Sequence, residues 1–256
     1  MKRILKELGV ILVAIFIFIP IILTVLVAFS QSNTFEVDGF SIQWFVMAFT
    51  SESFMSALLT SFVTAIIATI LALIVALLAA SSVFKNRKLV KWQFLLDSPM
   101  LIPNLVLSFV LYQIFVVRLM ASEDVILILA HTVVLLPFAF RSFTAILLKM
   151  DFNLFLAAKS LGMKESKVFW KVIVPNMKNA IVAIGFISFI NSFNNLAISY
   201  FLTKTGKMLV PSLMLSHLQY YYDPLVAAIS VVIIAITIIV LVFVEKVLKF
   251  NLIEGR

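Results

Sequence analysis

The stretch LAAKSLGMKESKVFWKVIVP, residues 156–175, is basic and helix-forming yet lies between two strongly apolar segments, and its reading decides the fold. Ala157 and Ala158 leave one face of a helix nearly bare. Gly162 is suited to close that helix in a left-handed turn, and Pro175 interrupts regular helix near the start of the next apolar segment. Two short helices held at an angle are predicted, in a loop covering about 151–175 that offers a docking surface. A plainer reading of the same residues is an amphipathic hairpin on a membrane, with Lys159, Lys164, Lys167, Lys171 and Lys178 against anionic lipid. The layout of the rest of the chain favours the docking surface.

Outward from this loop the chain reads as a membrane protein. Of its 256 residues, 63% are apolar and only 12% charged, which leaves no ordinary soluble domain to be built. A helical span needs about 20 mostly apolar residues. The segments that qualify are about 10–29, 58–83, 99–117, 125–140, 180–202 and 225–244, the fourth being the shortest. Alternating strands are absent, so a barrel does not compete. The apolar run near the amino end is too long for a secretory signal core of about 7–15 residues and is expected to be retained as a span.

Charge orients these spans, because Lys and Arg stay on the cytoplasmic side. Of the 20 Lys and Arg residues, all but Arg118, Lys204 and Lys207 fall at the two ends or in the loops after the second and fourth spans. The first outer loop carries Glu36, Asp38 and Glu52 without a basic residue. Both termini are therefore expected in the cytoplasm. The net charge of +8 follows from topology, and nucleic acid is not implied.

Within the second span, Thr64, Ala68, Ala72, Ala76 and Ala80 recur every four residues, a stripe of small side chains that lets another helix approach closely. In the fifth, Ser188, Asn191, Ser192, Asn195 and Ser199 recur at helical spacing with Asn194 beside them. Such a polar stripe serves either as hydrogen-bonding contact between helices or as the lining of a solute path. Pro20, Pro103 and Pro137 are each placed to kink a span. His131, alone on an apolar helix, reads as a hydrogen-bonded structural residue, and Asp97 and Asp223, each near a proline, read as helix caps.

No phosphate-binding Gly-rich loop, no His-Glu-x-x-His and no cysteine occurs, so catalysis by this chain is not expected and any energy source must come from a partner. The spans offer no acidic pair for ion coupling, which weighs against the alternative of a secondary transporter without an ATPase.

These features resemble the permease subunits of type I ATP-binding-cassette importers along nearly the whole chain. Ala157-Ala158, three residues, Gly162, nine residues and Val172-Ile173-Val174-Pro175 is similar to the EAA loop of that family, with Leu156 where the pattern has Glu. LILAHTVVLLPFAFRSF at 127–143, ISFINSFNNLAISYFLT at 187–203 and DPLVAAIS at 223–230 are similar to the spermidine/putrescine permease branch. The resemblance implies an all-α integral membrane protein of six transmembrane helices, a single transmembrane permease domain over 1–256, with a cytoplasmic coupling-helix pair between the fourth and fifth. It implies ATPase coupling through Ala157, Ala158, Gly162 and Pro175, and a substrate path at Asn191, Asn194, Asn195 and Ser199. It also implies two ATP-binding subunits that hold ATP and Mg, a second and non-identical permease, a solute-binding protein, and a place in the bacterial cell membrane. No cofactor is expected on this chain. Polyamine members are expected to carry an acidic pair where Asn194 and Asn195 stand, so the expected solute is a polyamine or, alternatively, a less cationic molecule such as an aminoalkylphosphonate.

Overall fold

The computed structural model describes residues 2–120, 122–202 and 208–248, and no strand occurs among them. Lys204, Lys207, Lys249 and Arg256, which entered the charge reading, lie outside the described residues. In chain order the helices are α1 Lys2–Ala28, α2 Gln43–Thr50, α3 Glu52–Lys85, α4 Gln93–Asp97, α5 Asn104–Leu111, α6 Glu123–Lys149 and α7 Phe152–Ser160. They continue as α8 Glu165–Val168, α9 Val174–Asn176, α10 Lys178–Phe193, α11 Leu196–Leu202, α12 Val210–Tyr220 and α13 Leu225–Leu248.

Four of these, α1, α3, α6 and α13, contain runs long and apolar enough to cross a membrane. Two further candidates are bent: Arg87–Leu101 meets Asn104–Arg118 at 91°, and Glu165–Asn176 meets Lys178–Phe193 at 73°. The count is four, or up to six when each bent pair is taken as one span. Proline explains the first bend. Pro103 has no N–H and holds Ile102 extended at φ −99°, ψ 127°, so helix stops before it and restarts at Asn104. The kink expected of Pro103 within the segment 99–117 is thus a full break in the helix. Pro20 and Pro137, by contrast, lie inside helices that continue through them.

Helix α6 extends beyond the expected 125–140 at both ends. Phe140, Phe143, Thr144 and Leu147 repeat at helical spacing and are all buried, which carries the helix on to Lys149. Its acidic first turn, Glu123 and Asp124, and its terminal Lys149 complement the helix dipole. Asp97 is not a cap as expected: its carboxylate accepts a 2.9 Å hydrogen bond from Arg141 Nε instead. Asp223 does cap, accepting from Leu225 N at 3.0 Å.

The chain divides into two compact units, 1–57 with 213–240 and 58–212 with 241–256. In the first, Ala28, Trp44, Ala227 and Ala228 form a small core, and Trp44 Nε1 donates to Ser30 O at 3.1 Å. Helix α2, which the sequence reading did not foresee, buries Trp44 and Ala48 one turn apart. In the second unit, all five small residues of the α3 stripe are buried, Ala68, Ala72, Ala76 and Ala80 completely. Ala76 and Ala80 pack with Phe140 and Phe143 of α6 and with Phe155 and Ala158 of α7 in one core. Helix α10 approaches α3 so closely at Gly185 that a Cβ there would stand 3.1 Å from Leu73 Cδ1. Helix α12 is a second unforeseen element; its first N–H, at Val210, is satisfied by Ser61 Oγ of α3 at 2.8 Å.

Candidate functional site

Two regions of the second unit hold every residue expected to act. The first is the hairpin after α6. Asp151 opens α7 by accepting from Asn153 N at 2.9 Å. The helix closes as the local sequence predicts: Gly162 takes φ +80°, its N–H reaches Lys159 O at 2.9 Å, and Met163 N reaches Ala158 O at 3.2 Å. This paired bonding is the Schellman arrangement, and it needs glycine because L residues are strained at that φ. Gly162 has no neighbour within 4 Å of where a Cβ would stand, so the backbone, not crowding, selects it.

The hairpin is two-sided. Phe155 and Ala158 are buried against Phe84 and Phe152, with Phe84 edge-on to both rings. Leu154, Leu156, Ala157 and Leu161 are exposed, Leu161 at 84%. Ala157 and Ala158, adjacent in sequence, thus face opposite ways. Beyond the turn, Glu165 accepts from Lys159 Nζ at 2.8 Å and stands 3.7 Å from Lys85, which ties the hairpin to the end of α3. The Lys159 ammonium, and after it Lys85, holds the Glu165 carboxyl below its usual range. The chain then passes through a π-helical turn at Phe169–Ile173, and Pro175, exposed, lies two residues before the bend at Met177.

The second region is the polar stripe, which does not lie on one continuous helix. Helix α10 ends at Phe193 and α11 begins at Leu196, with Asn194 and Asn195 between them, so a continuous helix over 180–202 is corrected. Asn195 Oδ1 accepts from Ile198 N at 3.0 Å, and Leu196 N bonds Asn194 O at 3.0 Å across a tight turn. The amide therefore starts the second piece as an N-cap. The break sorts the stripe. Ser188, Ser192 and Ser199 are buried, whereas Asn191 and Asn194 are exposed and Asn195 is half-buried. The Asn191 and Asn194 amides have no hydrogen-bond partner among the described residues. Ser199 Oγ donates to Asn195 O at 2.6 Å, so it braces the break from within.

His131 of α6 is the fixed point behind this break. Its Nδ1 lies 2.8 Å from Ser192 Oγ, and the ring is 1% exposed. Its Nε2 and the hydroxyl of Ser188 have no protein partner. His131 is thus hydrogen-bonded as expected, but Ser192 as its partner could not be foreseen, since nothing local links positions 61 residues apart. Among the described residues no group of three or more His, Asp or Glu side chains is placed to hold a metal ion.

Comparison with known proteins agrees along the chain. Residues 72–249 match the family described as binding-protein-dependent transport system inner membrane component. The spermidine/putrescine transport system permease protein PotC of Haemophilus influenzae is 26% identical over 92% of this chain and 93% of its own length. The PotC of Escherichia coli K12 is 23% identical over 89% and 87%, and its putrescine transport system permease protein PotI 24% over 85% and 81%. Among solved structures, a bacterial transporter involved in the import of the acidic polysaccharide alginate aligns with a TM-score of 0.65 at 15% identity, covering 98% of this chain and 97% of its own. That likeness is one of fold.

Proposed function

We propose, from the premise that this chain belongs to the family of binding-protein-dependent transport system inner membrane components, that it is one permease half of an ATP-driven importer for polyamines. The observation that carries the solute class is the likeness, over nine-tenths of both chains, to a permease named for spermidine and putrescine. The two bent regions each contribute one span in this reading, at about 99–117 and 180–202, giving six, with both termini and the 151–175 hairpin in the cytoplasm. A second, non-identical permease completes the path in the bacterial cell membrane. An extracytoplasmic binding protein delivers the solute, and two ATPase subunits hold ATP and Mg.

Ala157 and Gly162 present the hairpin to an ATPase, Ala158 seats it on α3 and α6, and Pro175 sets the turn into the fifth span. The exposed Leu154, Leu156 and Leu161 support this role, because apolar side chains of that size on a short rigid hairpin gain most by being covered. Asn191, Asn194 and Asn195 line the path, with Ser199 as their brace. Non-helical backbone at membrane depth is tolerated where protein or a water-filled cavity receives its polar groups, and the unpartnered amides beside the break fit that condition. ATP acts only by binding one conformation of the assembly better than the other.

A second reading is favoured by one observation. Asn194 and Asn195 are uncharged, and amides recover less of a polycation's lost hydration than carboxylates do. A solute of lower net charge, such as an aminoalkylphosphonate, fits them without help from the partner permease. Isolation of the assembly from membranes, with identification by mass spectrometry of the ligand its binding protein retains, decides between them. A polyamine is the expected result. Purification of an active transporter that brings no ATPase would refute the importer reading in favour of a secondary transporter.

A further inference from the structure

An apolar groove of about 260 Å³ runs beside α3, and no role described so far uses it. Its walls include Ile74 and Leu78 of α3, Phe143 of α6, Trp170 and Val174 before the bend at Met177, and Ile181 after it. The α3 residues it touches run from Ile70 to Leu78, about 12 Å of helix. Ile70, Ile74, Leu78 and Trp170 are each about half exposed, so the groove opens outward along its length. Trp170, in the π-helical turn, is 58% exposed and, with Val174, is the part of the wall that the basic loop supplies.

Three lysines lie within one helical turn, in sequence, of lining residues: Lys167 of Trp170, Lys171 of Val174 and Lys178 of Ile181. Lys167 and Lys171 flank Trp170, and Lys178 follows the bend; all three are exposed, and none has a carboxylate partner among the described residues. The one acidic residue of the hairpin after Asp151, Glu165, is already held by Lys159 and Lys85. An apolar slot walled in part by a tryptophan, with unpaired lysines one helical turn from its lining residues, matches an acyl chain joined to an anionic headgroup. We infer that this groove is a binding site for an anionic phospholipid, with its acyl chain against Ile74, Leu78 and Phe143 and its phosphate at Lys167, Lys171 and Lys178. The inference rests on the proposed reading of the 151–175 hairpin as cytoplasmic, which puts these lysines at the cytoplasmic face of the membrane.

In such a site, lipid couples two segments that move relative to each other if the hairpin moves. Trp170 and Val174 belong to the hairpin side of the bend, Ile74 and Leu78 to α3. A bound lipid fills the space between them and favours the conformation in which the groove is open.

The test uses the complete assembly in native membranes, with a benzophenone amino acid at Ile74 and, as a control, at Leu12 of α1, which is 60% exposed. After irradiation, mass spectrometry of the chain identifies the adducts. At position 74, phosphatidylglycerol adducts are expected to be enriched over phosphatidylethanolamine by on the order of fivefold relative to position 12, the factor that about 1 kcal/mol provides. Lys167→Gln with Lys171→Gln and Lys178→Gln is expected to remove the enrichment while adducts at 12 stay unchanged. Equal proportions at the two positions, adducts to another subunit at 74, or adducts at 12 with none at 74 would each overturn the lipid site. This outcome is independent of the importer reading, which fails only if the purified assembly lacks its ATPase.

Discussion

The stripe on α3 and the stripe on the fifth span look alike as spacing and end as opposites. Thr64, Ala68, Ala72, Ala76 and Ala80 remain one buried line on an unbroken helix of 34 residues. Ser188, Asn191, Ser192, Asn195 and Ser199 are divided by a break, with the serines buried, Asn191 exposed and Asn195 half-buried at the break itself. The cause is chemical. An alanine methyl can only pack, so a line of them has one outcome, close approach of another helix. An asparagine amide competes with the peptide groups for hydrogen bonds, and at Asn195 it takes the place of the helical bond to Ile198 N. Regular spacing therefore secures a continuous helix only where the side chains have no alternative partner in the backbone.

The sharpest way to break the comparison is to spoil the packing stripe. Ala76→Leu adds three carbons at a fully buried position between Phe140, Phe143 and Phe155, and is expected to cost about 1–3 kcal/mol. Thermal unfolding of the purified protein in detergent measures this; an unchanged midpoint would mean that the stripe does not pack as described. Next comes the inward half of the polar stripe. Ser192→Ala leaves His131 with both ring nitrogens buried and unpaired, and is expected to cost about 2 kcal/mol in the same assay.

Gly162→Val tests where the α3 stripe ends, at the hairpin it supports. The left-handed turn is expected to be strained by about 1–2 kcal/mol, with weaker ATPase association while the bundle stays inserted. Normal ATPase binding and uptake in that variant would remove the hairpin from the coupling role. Asn195→Leu removes the cap, an expected loss of about 1 kcal/mol, and lowers uptake severely without preventing assembly. Asn195→Asp keeps an acceptor for Ile198 N and is expected to restore the stability. If Asn195→Leu and Asn194→Leu both transport normally in vesicles, the stripe only holds helices together.

Glu165→Gln is the smallest change. Because the folded-state carboxyl is held below its usual value by Lys159 and Lys85, its stabilising effect is fully present above the ordinary carboxylate range and is lost as pH falls through the lowered value. The wild type and the variant are therefore expected to differ slightly at neutral pH and to converge in acid, read as the separation of their unfolding midpoints.

Much of the site was legible in the residues one by one. Gly162 announces a left-handed turn because only glycine takes φ +80° without strain, and the small residues of α3 announce a packed face because nothing else suits them. Pro20, Pro103 and Pro137 were equally good candidates for a kink, yet only Pro103 coincides with a break among the described residues. A proline removes one donor anywhere; whether the helix parts there depends on what surrounds the freed carbonyl.

The amino-acid sequence by itself determined that this is a helical membrane chain with a basic hairpin before its fifth apolar segment, because composition and backbone preference act locally and additively. Tertiary structure alone decided that Asp97 pairs with Arg141 rather than capping and that His131 meets Ser192. Each of these joins residues far apart in the chain, whereas the break of the fifth segment at Asn194 and Asn195 sets one local bond against another. In an apolar interior an unpaired polar group is costly, and only the packed arrangement fixes which partner is within reach.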